Sequence, residues 1–244
     1  MRDLLASHRA GTTGDGADLL SLLMAARDED GSAMSDDQLR DEAITLLLAG
    51  HETTAIALTF TFLLLSMHPD VRARLEAEIA EVVGDRPPTH ADLPRLVLAE
   101  RIVRESMRLY PPAWSIGREA AEDVELGGHR FPRGTWLWFL TWTMHRDARW
   151  FAEPERFDPD RWSGDLAKTL PRFAYFPFGG GPRQCIGNAF ATMETILCMV
   201  TIAQRVRLDV LPDYKLELFP TVTLRPKHGL PVRVRLRDAS RPPA

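Results

Sequence analysis

The stretch from Asp36 to Met67, opened by Ser35-Asp-Asp-Gln38 and closed by His68-Pro69, constrains the fold more than any other part of this chain. Ser35 and Gln38 have the spacing of a capping box, in which each side chain satisfies the other residue's backbone amide. Apolar spacing is then sustained, which predicts one helix of about 32 residues, roughly 48 Å long at 1.5 Å per residue. A rod of that length traverses a whole domain, and it is too apolar to face water along its length. Ala43 to Leu65 is also long enough to cross a bilayer. Its centre, however, holds Gly50, His51 and Glu52, and an acidic residue at the bilayer midplane costs about 2.5 to 3.5 kcal/mol. The expectation is a core helix, with no membrane anchor in this chain.

Around that rod the chain reads as mainly α with small antiparallel β sheets. His8 to Asp18 has the composition of a flexible connection and Leu19 to Ala26 that of a short helix, so residues 1–34 are expected to lead into a single domain over 35–244. Further helices are predicted over Val71 to Val83, Leu96 to Leu109 and Ala189 to Ala203. Between Val124 and Phe139, Gly127-Gly128 and Arg133-Gly134 punctuate β-branched and aromatic runs, as in a small antiparallel sheet. Arg146 to Pro177 shows no period, and long irregular segments are usually functional or packed onto something. Val232 to Arg237 alternates with a period of two, as a half-buried strand does.

Hydrophobic residues make up 45% of the 244 and charged residues 26%, which excludes a disordered class. A net charge of −4 gives no reason to expect nucleic acid binding. Two cysteines, Cys185 and Cys198, cannot form a disulfide framework, and residues 1–9 lack the apolar stretch of a signal peptide. A cytoplasmic protein is expected.

The chemistry concentrates in Phe178-Gly-Gly-Gly-Pro-Arg183-Gln-Cys185-Ile-Gly187. Gly179 and its neighbours let the backbone approach a flat ligand, and Pro182 fixes one turn of the path. Cys185 falls near the start of the helix predicted from Ala189, where free amides favour an anion, and Arg183 adds positive charge. Those features suit a thiolate of lowered pKa bound to a large cofactor. A packed cysteine in a glycine turn is the plain alternative.

On the long helix, Ala49-Gly-His-Glu-Thr-Thr54 places polar groups inside an apolar run. Gly50 removes a side chain where a ligand could lie, and Glu52 and Thr53 form a proton-carrying pair; a polar patch packed on another element is the other reading. A threonine hydroxyl there can also bond to the preceding turn and distort the helix. His51-Glu52 begins like the zinc-protease pattern His-Glu-x-x-His, but Ala55 stands at the fifth position and removes the second ligand.

Phe-x-x-Gly-x-Arg-x-Cys-x-Gly, matched from Phe178 to Gly187, resembles the haem-binding pattern of the cytochrome P450 family. Ala49 to Thr54, Glu105-Ser-Met-Arg108 and Pro154-Glu-Arg-Phe157 resemble the same family in the same order. The resemblance implies the carboxy-terminal portion of the cytochrome P450 fold and haem b (iron protoporphyrin IX), with Cys185 as the axial iron ligand. It implies that Phe178, Gly179, Arg183, Gly187, Arg118, Ala49 and Gly50 surround the cofactor, Arg118 and Arg183 as propionate partners. Glu52 and Thr53 become catalytic candidates in a proton relay. Arg156 is expected to join Glu105 and Arg108 in anchoring the irregular segment. Ala113 to Ile116, with Trp114, and the turn from Phe219 to Val222 would border the substrate pocket. The implied reaction is monooxygenation of a small apolar substrate by dioxygen, with electrons from a ferredoxin or flavoprotein reductase that docks near Arg161, Arg172 and Arg183. Nothing in the sequence resembles the family's amino-terminal half, so the alternative is a non-catalytic haem-binding fragment that needs a second chain.

Overall fold

The computed structural model describes residues 2–10, 16 and 18–237, and the chain forms two compact units, Met1–Glu52 and Thr53–Ala244. In the first unit, helices α1 (Arg2–Arg9) and α2 (Leu19–Ala25) precede α3 (Asp36–Met67), which continues into the second. Asp18 caps α2 by accepting from the Ser21 amide at 3.0 Å, satisfying a donor that the first turn leaves unpaired. Most of the connection from His8 to Asp18 lies outside the described residues. Leu5, Leu20 and Leu39 form this unit's small core.

The predicted capping box is present. The Ser35 amide donates to Gln38 Oε1 at 2.8 Å and the Gln38 amide donates to Ser35 Oγ at 3.3 Å. α3 has the 32 residues predicted for it. Its expected burial holds for one half only. Leu47 and Leu48 are 62% and 67% exposed, because only Leu39 and Ala43 of this half meet the first unit's core and no described element covers the rest. Among the described residues, α3 is the one helix long and apolar enough to cross a membrane.

In the second unit, α3 is buried on two faces. Phe62, Leu64 and Leu65 join Leu75 and Ile79 of α4 (Pro69–Val82), Ile102 and Val103 of α5 (Val97–Leu109), and Met199 and Val200 of the later helix Asn188–Arg205. Ile56, Phe60 and Leu63 join Leu224 in a second cluster, where the Tyr110 ring stacks on Phe60 at 4.5 Å. Two buried faces explain why the run reads as apolar throughout instead of as a stripe.

Strands β1 (Ile116–Glu119), β2 (Val124–Leu126), β3 (His129–Phe131) and β4 (Trp136–Phe139) pair antiparallel as β1–β4 and β2–β3. Gly127 and Gly128 close the inner hairpin with φ of 58° and 79°, the left-handed pair that a two-residue turn needs. The irregular segment holds the short helices α6 (Thr141–Met144) and α7 (Leu166–Thr169) and a 3₁₀ turn over Pro159–Ser163. Buried Phe151, Phe157 and Trp162 pack it inward, as expected of a long aperiodic stretch. Helix α8 (Asn188–Arg205) leads directly into β5 (Val206–Val210), which pairs with β8 (Val232–Leu236), while β6 (Leu218–Pro220) pairs with β7 (Leu224–Pro226).

Candidate functional site

Helix α5 presents Glu105 and Arg108 one turn apart on its buried face, both side chains fully buried. Two parallel bonds join them, Arg108 Nε to Glu105 Oε2 and Arg108 Nη2 to Glu105 Oε1, each 2.8 Å. The remaining Arg108 N–H groups donate to the carbonyls of His145 (2.9 Å), Pro154 (2.7 Å) and Arg156 (3.0 Å). A buried guanidinium is tolerable only when its donors are paired in this way.

The expected role of Arg156 is corrected here. Only its carbonyl reaches the pair; its guanidinium lies at the surface and bonds Glu153 at 3.0 Å. The third charged side chain is Arg161, whose Nε donates to Glu105 Oε1 at 3.3 Å and whose Nη1 donates to the Ala152 carbonyl at 2.6 Å. Trp162 Nε1 and the Asp158 amide complete the Glu105 carboxylate, at 2.9 and 3.1 Å. The signal was in the sequence. Pro159-Asp-Arg-Trp162 repeats the proline, acid, arginine, aromatic pattern of Pro154-Glu-Arg-Phe157 five residues later. With its side chain 9% exposed, Arg161 also drops out of the surface arginines expected to dock an electron donor.

His145, which the sequence reading passed over, connects this network to the cysteine loop. It is fully buried, and its Nε2 accepts from the Phe176 amide at 2.9 Å. Burial lowers its pKa to about 3, with the Arg108 charge acting in the same direction, so the ring is neutral. The loop then folds by local bonds. The Gly179 amide donates to the Phe176 carbonyl at 2.9 Å and the Cys185 amide to the Phe178 carbonyl at 3.0 Å. Gly179 and Gly181 hold φ of 72° and 71°, conformations that a side chain disfavours.

Cys185 is an exposed free thiol two residues before Gly187, which N-caps α8. Ile186 beside it is 91% exposed. A cavity of about 720 Å³ opens on the loop and is lined by Ile116 and Arg118 of β1, Trp138, Phe139, Phe173, Phe176, Gly180 and Gly181. Arg118 therefore shares a cavity with Gly180 and Gly181 of the loop. Trp114 Nε1 donates to the Thr221 carbonyl at 2.8 Å, so the two segments assigned to the pocket border touch each other.

On α3, Ala49, Gly50 and Glu52 are exposed in the first unit and Thr53 opens the second. Nothing lies within 4 Å of a Cβ added at Gly50. Further along the same helix, Thr59 and Thr61 donate to the Ala55 and Ala57 carbonyls at 2.8 and 2.7 Å, and α3 is α-helical from Asp36 to Met67. Thr54 Oγ1 is buried and makes no hydrogen bond among the described residues.

Haem held through a thiolate needs a free cysteine, a backbone open to a flat macrocycle and cations for its carboxylates. The residues fit each requirement. Cys185 is a free, exposed thiol, and Arg118 and Arg183 are exposed. A Cβ at Gly180 would lie 2.3 Å from Phe173 Cε1, so the loop is close-fitted to the cavity wall.

The family model described as Cytochrome P450 matches residues 3–231. Cyclooctatin synthase of Streptomyces melanosporofaciens is 43% identical over 91% of this chain and 48% of its own length. Pentalenene oxygenase of Streptomyces avermitilis is 42% identical over 100% of this chain and 53% of its own. The crystal structure of the cytochrome P450DA heme domain matches at a TM-score of 0.89 and 36% identity, covering 98% of this chain and 54% of that one. The chain thus spans about half the length of the curated relatives it matches. On the family match and these likenesses together, the chain belongs to the cytochrome P450 family.

Proposed function

We propose that this chain carries the haem-thiolate portion of a monooxygenase that acts on a small apolar organic substrate. The observation that carries this reading is the free Cys185 thiol on a glycine loop whose next turns line an apolar cavity. Relatives named as an oxygenase and a monooxygenase support it. In the net reaction one atom of dioxygen enters a C–H bond and the other leaves as water, with two electrons from a ferredoxin or flavoprotein reductase and two protons from solvent.

When bound, haem b supplies the redox chemistry that activates dioxygen. The chain's own residues have separable tasks. Cys185 Sγ, a free and exposed thiol, would be the metal donor. Arg118 and Arg183 pair the cofactor's carboxylates. Phe178, Gly179 and Gly187 would shape the loop that receives the macrocycle, and Ala49 and Gly50 are proposed as further contacts from α3. Glu52 and Thr53 pass protons inward from water. Two free cysteines agree with a reducing compartment, the cytoplasm.

A specific observation favours the second reading, a haem-binding portion that turns over only beside another polypeptide segment. Ile186 and Phe190, which closely follow Cys185 in the chain, are both more than half exposed, which is unusual for large apolar side chains near a reactive centre. Oxygen consumption by the haem-loaded chain with a surrogate ferredoxin and its reductase separates the readings. Consumption that Cys185→Ser abolishes supports the first. Haem uptake with no reductase-dependent consumption supports the second.

A further inference from the structure

We propose that His145 is a positioning residue for the cysteine loop: its Nε2 fixes the Phe176 amide and so sets the path on which Cys185 is presented. The consequence for haem rests on the haem-thiolate reading; the positioning itself does not.

An imidazole with no exposure is a costly choice for a core position that an aliphatic side chain could fill, since a buried polar group needs a partner to offset its desolvation. Here the partner is the loop. The Phe176 amide donates to His145 Nε2 at 2.9 Å, and the His145 carbonyl accepts from Arg108 Nη1 at 2.9 Å. One residue therefore receives the α5 anchor on its backbone and holds the loop with its ring. Tyr175 tilts against that ring at 4.8 Å and Phe176 meets it edge-on at 5.5 Å, which fixes the imidazole plane. Tyr175 is itself tied to α5, its hydroxyl donating to the Arg104 carbonyl at 2.9 Å.

From Phe176 the bonds run on to the sulfur-bearing residue. Its carbonyl accepts from the Gly179 amide, and the Phe178 carbonyl accepts from the Cys185 amide. Three successive bonds thus lead from the His145 ring to the Cys185 backbone. The arrangement requires an acceptor at Nε2, which only the neutral ring provides, and burial keeps it neutral.

Residue-resolved hydrogen exchange on the full chain, without haem and haem-loaded, tests this. In His145→Leu the amides of Phe176, Gly179 and Cys185 should exchange about tenfold faster, while Met199 and Val200 in α8 keep their rates. His145→Gln retains an acceptor of similar reach and should stay within about threefold of the unaltered chain. In the haem-loaded, reduced, carbon monoxide form, the share of the thiolate band should fall in His145→Leu and hold in His145→Gln. Unchanged loop rates in His145→Leu, or the same acceleration in α8, would overturn the proposal by reducing His145 to ordinary core. If His145→Leu does not fold, His145→Gln against the shorter His145→Asn decides: a loop protected only with Gln supports the proposal, and equal protection overturns it. Failure of the unaltered chain to show a thiolate band would count against the haem-thiolate reading, while the exchange result would still stand.

Discussion

Arg161 Nε lies 3.3 Å from Glu105 Oε1, whereas the Arg156 guanidinium bonds the surface carboxylate of Glu153. Arg161→Ala should therefore destabilise the chain by about 1 to 3 kcal/mol, because it removes charged bonds to a buried carboxylate and to two carbonyls. Arg156→Ala should stay within about 0.5 kcal/mol, as an exposed pair does. Arg108→Met, which strips Glu105 of its main partner, should cost about 3 to 5 kcal/mol. Urea unfolding of the three variants checks the order, and equal losses for Arg156 and Arg161 would contradict it.

Gly180→Ala should reduce haem uptake with little loss of fold. Its φ of −172° is ordinary extended backbone, so the change adds no backbone strain. The new Cβ instead meets Phe173 Cε1 at 2.3 Å and must drive that ring aside, into the cavity that both residues line. Haem titration followed by absorbance measures the uptake, and circular dichroism reports the fold. Normal uptake would mean that Phe173 swings clear of the cofactor.

Acid should weaken the fold partly through His145. The group's pKa falls from its ordinary 6.5 to about 3 on folding, so between these values the unfolded chain binds a proton that the native chain refuses. Its contribution is complete above pH 6.5 and drains away as pH falls toward 3, by about 1 kcal/mol per pH unit. His145→Gln should lack this component. Denaturant unfolding at pH 7, 6 and 5 should give a shallower decline for the variant, and parallel declines would show that His145 does not titrate in this way.

Glu52→Gln should lower product formation by about a hundredfold, the low end of what a positioned proton donor supplies. Thr53→Ala should divert reducing equivalents to hydrogen peroxide without stopping their consumption. Product and peroxide yields per electron, measured with a surrogate redox partner, check both expectations.

Much of the fold was legible because the strongest signals are local. The Ser35 and Gln38 caps, the His68-Pro69 stop and the Gly127-Gly128 turn each act within a few residues, and all three lie where the sequence placed them. β1 and β5 were not foreseen, since each is short and finds its partner only across a distance in sequence, β1 at Trp136–Phe139 and β5 at Val232–Leu236. The same limit hid His145. A lone histidine in an aperiodic segment gives no sign that the chain will bring it under the Phe176 amide. Arg161 was missed for a different reason: two similar tetrapeptides compete, and only tertiary packing shows which guanidinium turns inward.

The most direct test of haem-thiolate ligation is the absorption spectrum of the purified chain, loaded with haem, reduced and exposed to carbon monoxide. Ligation by Cys185 requires the red-shifted Soret band of a thiolate and its loss in Cys185→Ser. A band of the neutral-thiol or histidine type in the unaltered chain, or one that survives Cys185→Ser, would contradict it.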